Sequence, residues 1–259
     1  MKVADPKFEI RLAQREPDLL AAQRLRYDVF VDELGGDGEL VDHDKRLERD
    51  AFDPFYDHLI LIDKRRSEAE LDHVIGVYRL LLGEKADEIG RFYSEDEYDL
   101  DPLKKTGRKL LELGRSCLHA DYRGGMAMFH LWNGLAEYVL KNGVEVLFGV
   151  ASFHGTDVDE VKEPLSYLYH NHLAPEDLRV RAQSAHYQSM NLLDGDAVDR
   201  RRAMVATPAL IKAYLRLGGF VGDGAFIDHA FNTTDVCVLM DTKRLNPKQT
   251  KLYVEGRGA

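Results

Sequence analysis

The spacing of apolar and polar positions changes several times along the chain, and each change marks an element. Phe8 to Leu12 alternates apolar and charged residues, the period-two pattern of a half-buried strand. Glu16 to Leu34 then carries apolar residues at helical spacing, and Gly35-Gly36-Asp37-Gly38 ends that helix. A polar, acidic loop follows to about Asp50, long enough to suggest a functional role. The apolar runs His58 to Ile62 and Val74 to Leu82, separated by the charged Asp63 to Asp72, predict a long-looped antiparallel hairpin. A variable segment, Gly83 to Gly107, leads into a third run, Lys109 to Leu118, with Glu and Arg inside it. Met126 to Lys141 has helical periodicity that stops at Asn142-Gly143, and Val144 to Val150 is rich in strand formers.

The order is therefore β-α-β-β-β-α-β over residues 8–150, an α/β class with a mixed sheet flanked by helices. Beyond it the spacing predicts a helix near Val158 to Tyr169, a strand-like Leu178 to Ala182, a helix near Pro208 to Leu217 and a final strand Asp235 to Met240. That last run is too apolar to stand alone at a surface. The expectation is a single domain over residues 1–259, with a core at about 8–155 and a C-terminal extension at about 156–259 that completes the sheet.

Composition narrows the function class. With 44% hydrophobic and 31% charged residues in 259, the chain can bury a sizeable core, and no tract argues for disorder. A net charge of -10 speaks against wrapping nucleic acid, because phosphate binding depends on clustered Lys and Arg. Cys117 and Cys237 show no ligand or redox spacing, and His154, His170 and His172 have no ordered metal spacing, so no metal site is expected. The opening Met1 to Pro6 lacks the apolar stretch of a secretion signal, and no run approaches the length of a membrane span. A cytoplasmic protein, with at most peripheral contact with the inner membrane, is the expectation.

Four segments carry residue types that chemistry would use. On the first helix, Arg26 lies one turn from Phe30; an arginine fork there suits a carboxylate, although a helical surface arginine is ordinarily a solvated charge. Asp53 and Asp57 flank the entry to the second strand, where they can hold an ammonium or simply serve a turn and a cap. Within the third strand run, Leu111-Glu112-Leu113-Gly114-Arg115-Ser116-Cys117 places a Glu and an Arg where burial is costly unless they pair or are used. Alternation sends them to opposite faces unless a bulge at Gly114 re-aims them. Cys117 has no identifiable base beside it and reads as core. Finally, Arg123-Gly124-Gly125 precedes a helix, where free N–H groups suit a phosphate. Two basic clusters, Lys104-Lys105 with Arg108-Lys109 and Arg200-Arg201-Arg202, read as solvated loop charge or as a docking patch for an acidic partner.

Taken in order, RYDVF at 26–30, FDPFYDHL at 52–59, GVYRLL at 76–81, LELGRSC at 111–117 and YLRLGGFVG with TTDVCVLMD near the end resemble the bacterial L-ornithine N(alpha)-acyltransferases of ornithine-lipid synthesis. That family is related to the acyl-homoserine-lactone synthases. The resemblance implies a GCN5-related (GNAT-like) N-acyltransferase fold. It also implies transfer of a 3-hydroxy fatty acyl group from acyl carrier protein to the α-amine of ornithine, giving lyso-ornithine lipid. By motif, the family's functional positions fall on Arg26 and Phe30, Asp53 and Asp57, Arg79, and Glu112 and Arg115. Glu112 and Arg115 are the candidate catalytic pair, with Glu112, directly or through a water, the candidate base; Arg26, Phe30, Asp53, Asp57 and Arg79 are candidates for binding substrate, and Arg26, Arg79 or Arg115 can orient acidic loops or the ornithine carboxylate. Aligning Arg123 with the arginine of the coenzyme A loop puts Met126 where that loop needs its first glycine. This favours a phosphopantetheine donor on a carrier protein, with no tightly bound cofactor, and gives Lys104, Lys105 and Arg108 a use in docking it. The alternatives are a lactone synthase using S-adenosylmethionine, an acyltransferase for another amino acid, and a non-catalytic carrier-binding or membrane-binding module.

Overall fold

The computed structural model describes residues 7–245, so the opening Met1 to Pro6 and the end of the C-terminal extension lie outside the described residues. Among the described residues the strands are β1 (Phe8–Leu12), β2 (Asp57–Asp63), β3 (Val74–Leu82), β4 (Tyr98–Asp99), β5 (Leu110–Leu118), β6 (Val146–His154), β7 (Arg181–Ala182), β8 (Tyr187–Gln188), β9 (Phe220–Val221), β10 (Ala225–Asp228) and β11 (Thr233–Asp241). The α-helices are α1 (Glu16–Arg26), α2 (Gly83–Ile89), α3 (Asp101–Lys105), α4 (Ala127–Asn142), α5 (Val158–His172), α6 (Arg200–Ala206) and α7 (Ala209–Arg216). The chain divides into two compact units, one of residues 7–89 and 113–143, the other of 90–112 and 144–245.

In the first unit the strand order is β1-β2-β3-β5. The expected hairpin is present: β2 and β3 pair antiparallel from Asp57↔Leu80 onward, with a register shift near Leu61. Helix α1 and the helical turn after it cover one face, where Ala21, Ala22 and Leu25 of α1 and Val29 beyond it cluster with Ile60, Val77 and Cys117. Helix α4 covers the other, and its approach is close: a Cβ on Gly134 would meet Ile10 at 2.5 Å, so only glycine fits there. α4 stops at Gly143, whose φ of 64° is the left-handed conformation that glycine adopts without strain.

Two local departures from the periodic pattern shape the site. The helix expected over Glu16 to Leu34 is α-helical only to Arg26 and continues as a π-helix over Tyr27–Glu33. Apolar spacing finds a helical face but cannot distinguish i→i+4 from i→i+5 bonding; the wider turn rotates the residues beyond it. In β5, Gly114 faces Arg79 and Tyr56, while Cys117 packs under α1 beside Val77. Arg79 and Val77 are two apart on β3 and share a face, so Gly114 and Cys117 also share a face although they are three apart. Arg115 absorbs the extra residue with φ 46°, the left-handed geometry of a β-bulge. A bulge therefore does re-aim this segment, and it is centred on Arg115, one residue beyond the position read from the sequence.

In the second unit the order is β5-β6-β11-β10-β8, with β9 on β11 and a separate β4-β7 pair. Leu110–Glu112 pair parallel with Val146–Phe148, whereas β6 and β11 run antiparallel over their whole length. The final strand is buried from Thr234 to Asp241, as its apolar run requires. Two expectations are corrected here. The strand-like Leu178 to Ala182 is a short 3-10 turn followed by only Arg181–Ala182 in a sheet, since Pro175 and the Glu176-Asp177 pair favour a turn. Arg200-Arg201-Arg202 is not loop charge but the first turn of α6, started by Asp199, whose carboxylate accepts from the N–H groups of Arg201 and Arg202.

Candidate active site

The most unusual feature of the first unit is a buried ionic cluster. Arg26, on the last turn of α1, and Arg79, in the middle of β3, are both 0% exposed. A guanidinium without water is tolerable only when carboxylates surround it. Arg26 donates to Asp53 through Nη1 at 2.8 Å and Nη2 at 3.2 Å, and its Nε bonds Glu48. Arg79 Nη1 donates to Asp53 at 2.8 Å and to Asp50 at 2.7 Å, and its guanidinium lies 4.4 Å over the Tyr56 ring. Arg115 Nε reaches Glu48 at 3.0 Å, its Nη2 lies 3.6 Å from Asp50, and its guanidinium stands 5.8 Å over the Phe30 ring.

Three arginines from α1, β3 and β5 thus converge on three carboxylates supplied by one loop. Burial works against the charge of Asp53, yet Arg26 and Arg79 outweigh it and hold the carboxyl well below its usual range. Glu48 is likewise held low, burial opposing and Arg26 and Arg115 prevailing. Exposure is unequal across the cluster. Its side chains are closed to solvent except at Arg115 (16% exposed) and Asp50 (21%), which stand side by side at its open face.

Of the residues expected from the sequence, the structure brings Arg26, Phe30, Asp53, Arg79 and Arg115 together. Asp57 is not brought in: it lies exposed at the start of β2, and its carboxylate accepts from Tyr138 on α4 at 2.7 Å. The acidic partners spaced for this cluster are Asp50 and Asp53, with Glu48 before them. Glu48 and Asp50 escaped the sequence reading because the loop that holds them has no period; its length and acidity were the available signal.

Glu112 is engaged in the second unit. Its carboxylate accepts from the N–H of Tyr93 at 3.0 Å, the N–H of Ser94 at 2.7 Å and the Ser94 hydroxyl, closing the start of the 3-10 helix Tyr93–Asp96. Three of about four acceptor positions of a carboxylate are then in use. Cys117 is buried, and that burial pushes its thiol up to about 12, so it is a protonated core residue.

The turn expected at the donor site precedes α4 as predicted. Gly124 has φ 75° and Met126 is the N-cap of the helix. Arg123 ties the turn down, donating to the Leu118 carbonyl at 3.1 Å and to Glu33 at 3.0 Å, and Gly125 lies against the Tyr122 carbonyl. The basic cluster is locally offset: Lys104 pairs with Glu95, Lys105 with Asp101 and Arg108 with Asp241. Among the described residues, no group of His, Cys, Asp and Glu could hold a metal ion, and no helix is long and apolar enough to cross a membrane.

A family model described as an acetyltransferase (GNAT) domain matches residues 25–133, the stretch that holds all six cluster residues. The L-ornithine N(alpha)-acyltransferase of Rhodobacter capsulatus is 59% identical over 261 residues, covering 100% of both chains. The enzyme of the same name from Brucella abortus is 39% identical, over 95% of this chain and 88% of its own. Among solved structures, FeeM, an N-acyl amino acid synthase from uncultured soil microbes, has the same fold at a TM-score of 0.51 and 11% identity, over 97% of this chain and 98% of its own. A mixed sheet flanked by helices, the GNAT match and full-length likeness at these identities make this chain an acyltransferase of the L-ornithine N(alpha)-acyltransferase family.

Proposed function

We propose that the chain transfers a 3-hydroxy fatty acyl group from the phosphopantetheine thioester of acyl carrier protein to the α-amine of L-ornithine, giving lyso-ornithine lipid. The observation that carries the reading is the open face of the ionic cluster, where Arg115 and Asp50 present opposite charges side by side to solvent. An amino acid with a second amine matches that pair: its α-carboxylate fits the Arg115 fork, and its side-chain ammonium fits Asp50. The names of the full-length relatives support ornithine as the acceptor. The buried members Arg26, Glu48, Asp53 and Arg79 hold the two half-buried groups at fixed positions, so that little ordering accompanies binding.

In this reading the amine must first lose a proton, since it is mostly ammonium at neutral pH, and Glu112, directly or through a water, is the candidate acceptor. The neutral nitrogen attacks the thioester carbonyl, an N–C bond forms, and the tetrahedral oxyanion collapses with cleavage of C–S. The thiolate leaves and takes up a proton as the nitrogen gives one up to become the amide. Backbone N–H groups beside the bulge in β5 are suited to the oxyanion. Arg123, Gly124 and Gly125 at the head of α4 are the proposed contact for the donor's single phosphate.

The test is to incubate the purified chain with 3-hydroxyacyl carrier protein and a panel of ornithine, lysine, glutamine and glycine, and to identify products by mass spectrometry. An N-acyl-ornithine formed from the carrier thioester is the expected result. A lactone formed with S-adenosylmethionine, or acylation of glutamine or glycine in preference to ornithine, would overturn the reading. Asp50→Asn should raise KM for ornithine more than it lowers kcat.

A further inference from the structure

The second unit carries a charged surface that acyl transfer does not use. From Arg200 to Leu217 the sequence has five Lys or Arg and no Asp or Glu, in a chain whose net charge is -10. Helix α6 turns Ala203 inward, whereas Arg201 and Val205, four residues apart, share an outward stripe. Val205 is 77% exposed. Helix α7 buries Ile211, Tyr214 and Leu215 and leaves Lys212 and Arg216, again four apart, on its outer side. Lys212 Nζ donates to the Met204 carbonyl at 3.1 Å, which brings its ammonium to the end of α6, next to Val205 in the chain.

The charges of this surface are not offset as those around Lys104 are. Arg202 faces Glu163 at 3.5 Å, and Asp199 uses its carboxylate to cap α6. Among the described residues, Arg200, Arg201, Lys212 and Arg216 have no carboxylate within ion-pair distance. Arg201 one turn before the exposed Val205, and Lys212 brought to the end of the same helix, combine the two features by which peripheral helices hold an anionic interface: charge facing the headgroups and an apolar side chain reaching between them.

We propose that α6 and α7 form a docking surface for an anionic lipid bilayer, with Arg200, Arg201, Lys212 and Arg216 at the headgroup phosphates and Val205 inserted below them. An acidic protein partner would satisfy the four cations but offers no apolar phase for Val205. The rest of the chain is acidic and is repelled by the same bilayer, so the patch also fixes which face approaches it; the attraction acts within a Debye length of about 8 Å at physiological salt. The surface does not depend on which amino acid is acylated, since none of its residues belongs to the ionic cluster.

Co-sedimentation of the full chain with phosphatidylcholine vesicles, with and without phosphatidylglycerol, tests this. Binding is expected only to the anionic vesicles and should weaken as salt is raised. Each basic residue is worth about fivefold in partitioning, so Arg201→Glu with Arg216→Glu should weaken binding at least tenfold. Val205→Asp should weaken it as well, and Val205→Leu should retain it. All of these positions are exposed, and an unchanged melting temperature confirms that the variants fold. The proposal is overturned if the wild-type chain binds no vesicle, if the double variant binds anionic vesicles as tightly as wild type, or if the double variant loses contact with acidic acyl carrier protein alone.

Discussion

Asp53→Asn keeps the shape of a side chain and removes one charge from the ionic cluster, and the geometry fixes what that costs. Oδ1 accepts from Arg26 Nη1 and Arg79 Nη1, both at 2.8 Å, and Oδ2 accepts from Arg26 Nη2 at 3.2 Å and Gln23 Nε2 at 3.0 Å. An asparagine can place its carbonyl at Oδ1 and keep the two short bonds. Its amide then meets Gln23, which can turn its own amide to accept, and Arg26 Nη2, which cannot. The hydrogen-bond loss is therefore about one contact, and the larger effect is the missing charge beside two guanidinium groups that are 0% exposed. Breaking a buried pair costs about 3–5 kcal/mol; because Arg26 keeps Glu48 and Arg79 keeps Asp50, the low end, about 3 kcal/mol, applies. With a urea slope of about 3 kcal/mol/M, the unfolding midpoint should fall by about 1 M. Asp57→Asn, at an exposed position, should cost about 1 kcal/mol or less. The pH dependence supplies a second readout. Asp53 is depressed in the folded state, so its stabilisation is present above the ordinary value near 3.8 and is lost as pH falls below it. The gap between wild type and Asp53→Asn should hold from pH 8 to pH 5, approximately, and close in stronger acid. A midpoint shift no larger than that of Asp57→Asn, or a gap that widens in acid, would refute this account of the cluster.

Other variants probe single groups. Glu112→Gln should lower the melting temperature by several degrees through loss of a charged cap, about 1–2 kcal/mol, and, with Glu112 as the candidate base, should lower turnover more than donor binding; unchanged turnover at neutral pH removes it from that role. Burial pushes the His58 imidazole below its ordinary value near 6.5, against the pull of Asp53. Stability should therefore decline as pH falls below about 6.5, where the unfolded chain binds the proton first, and His58→Gln should flatten that decline in urea titrations at stepped pH. Cys117→Ala should keep turnover within about twofold, as expected for a thiol outside the chemistry, and intact-protein mass spectrometry during turnover should show no acyl adduct.

Much of this protein is legible in its sequence, because burial imposes a period that survives in one dimension. The strands β1, β2, β3, β5 and β11 and the helices α1, α4, α5 and α7 stand where apolar spacing puts them, since each must turn one face to a core. Costly residues are legible for the same reason: Glu112 and Arg115 sit inside an apolar run, where an unpaired charge would not be tolerated, and so announce partners elsewhere, whereas Arg79 is picked out through the family resemblance. Who those partners are is decided only in three dimensions. Glu48 and Asp50 come from an aperiodic loop and gain meaning when α1, β3 and β5 bring three guanidinium groups to it. Asp57, four residues from Asp53, is carried away because β2 begins there and its side chain turns toward α4. The bulge at Arg115 and the π-turn after Arg26 are likewise backbone decisions, set by packing on both sides of the element. Composition and period fix which side chains must be buried; the closing of loops on strands fixes which charges meet.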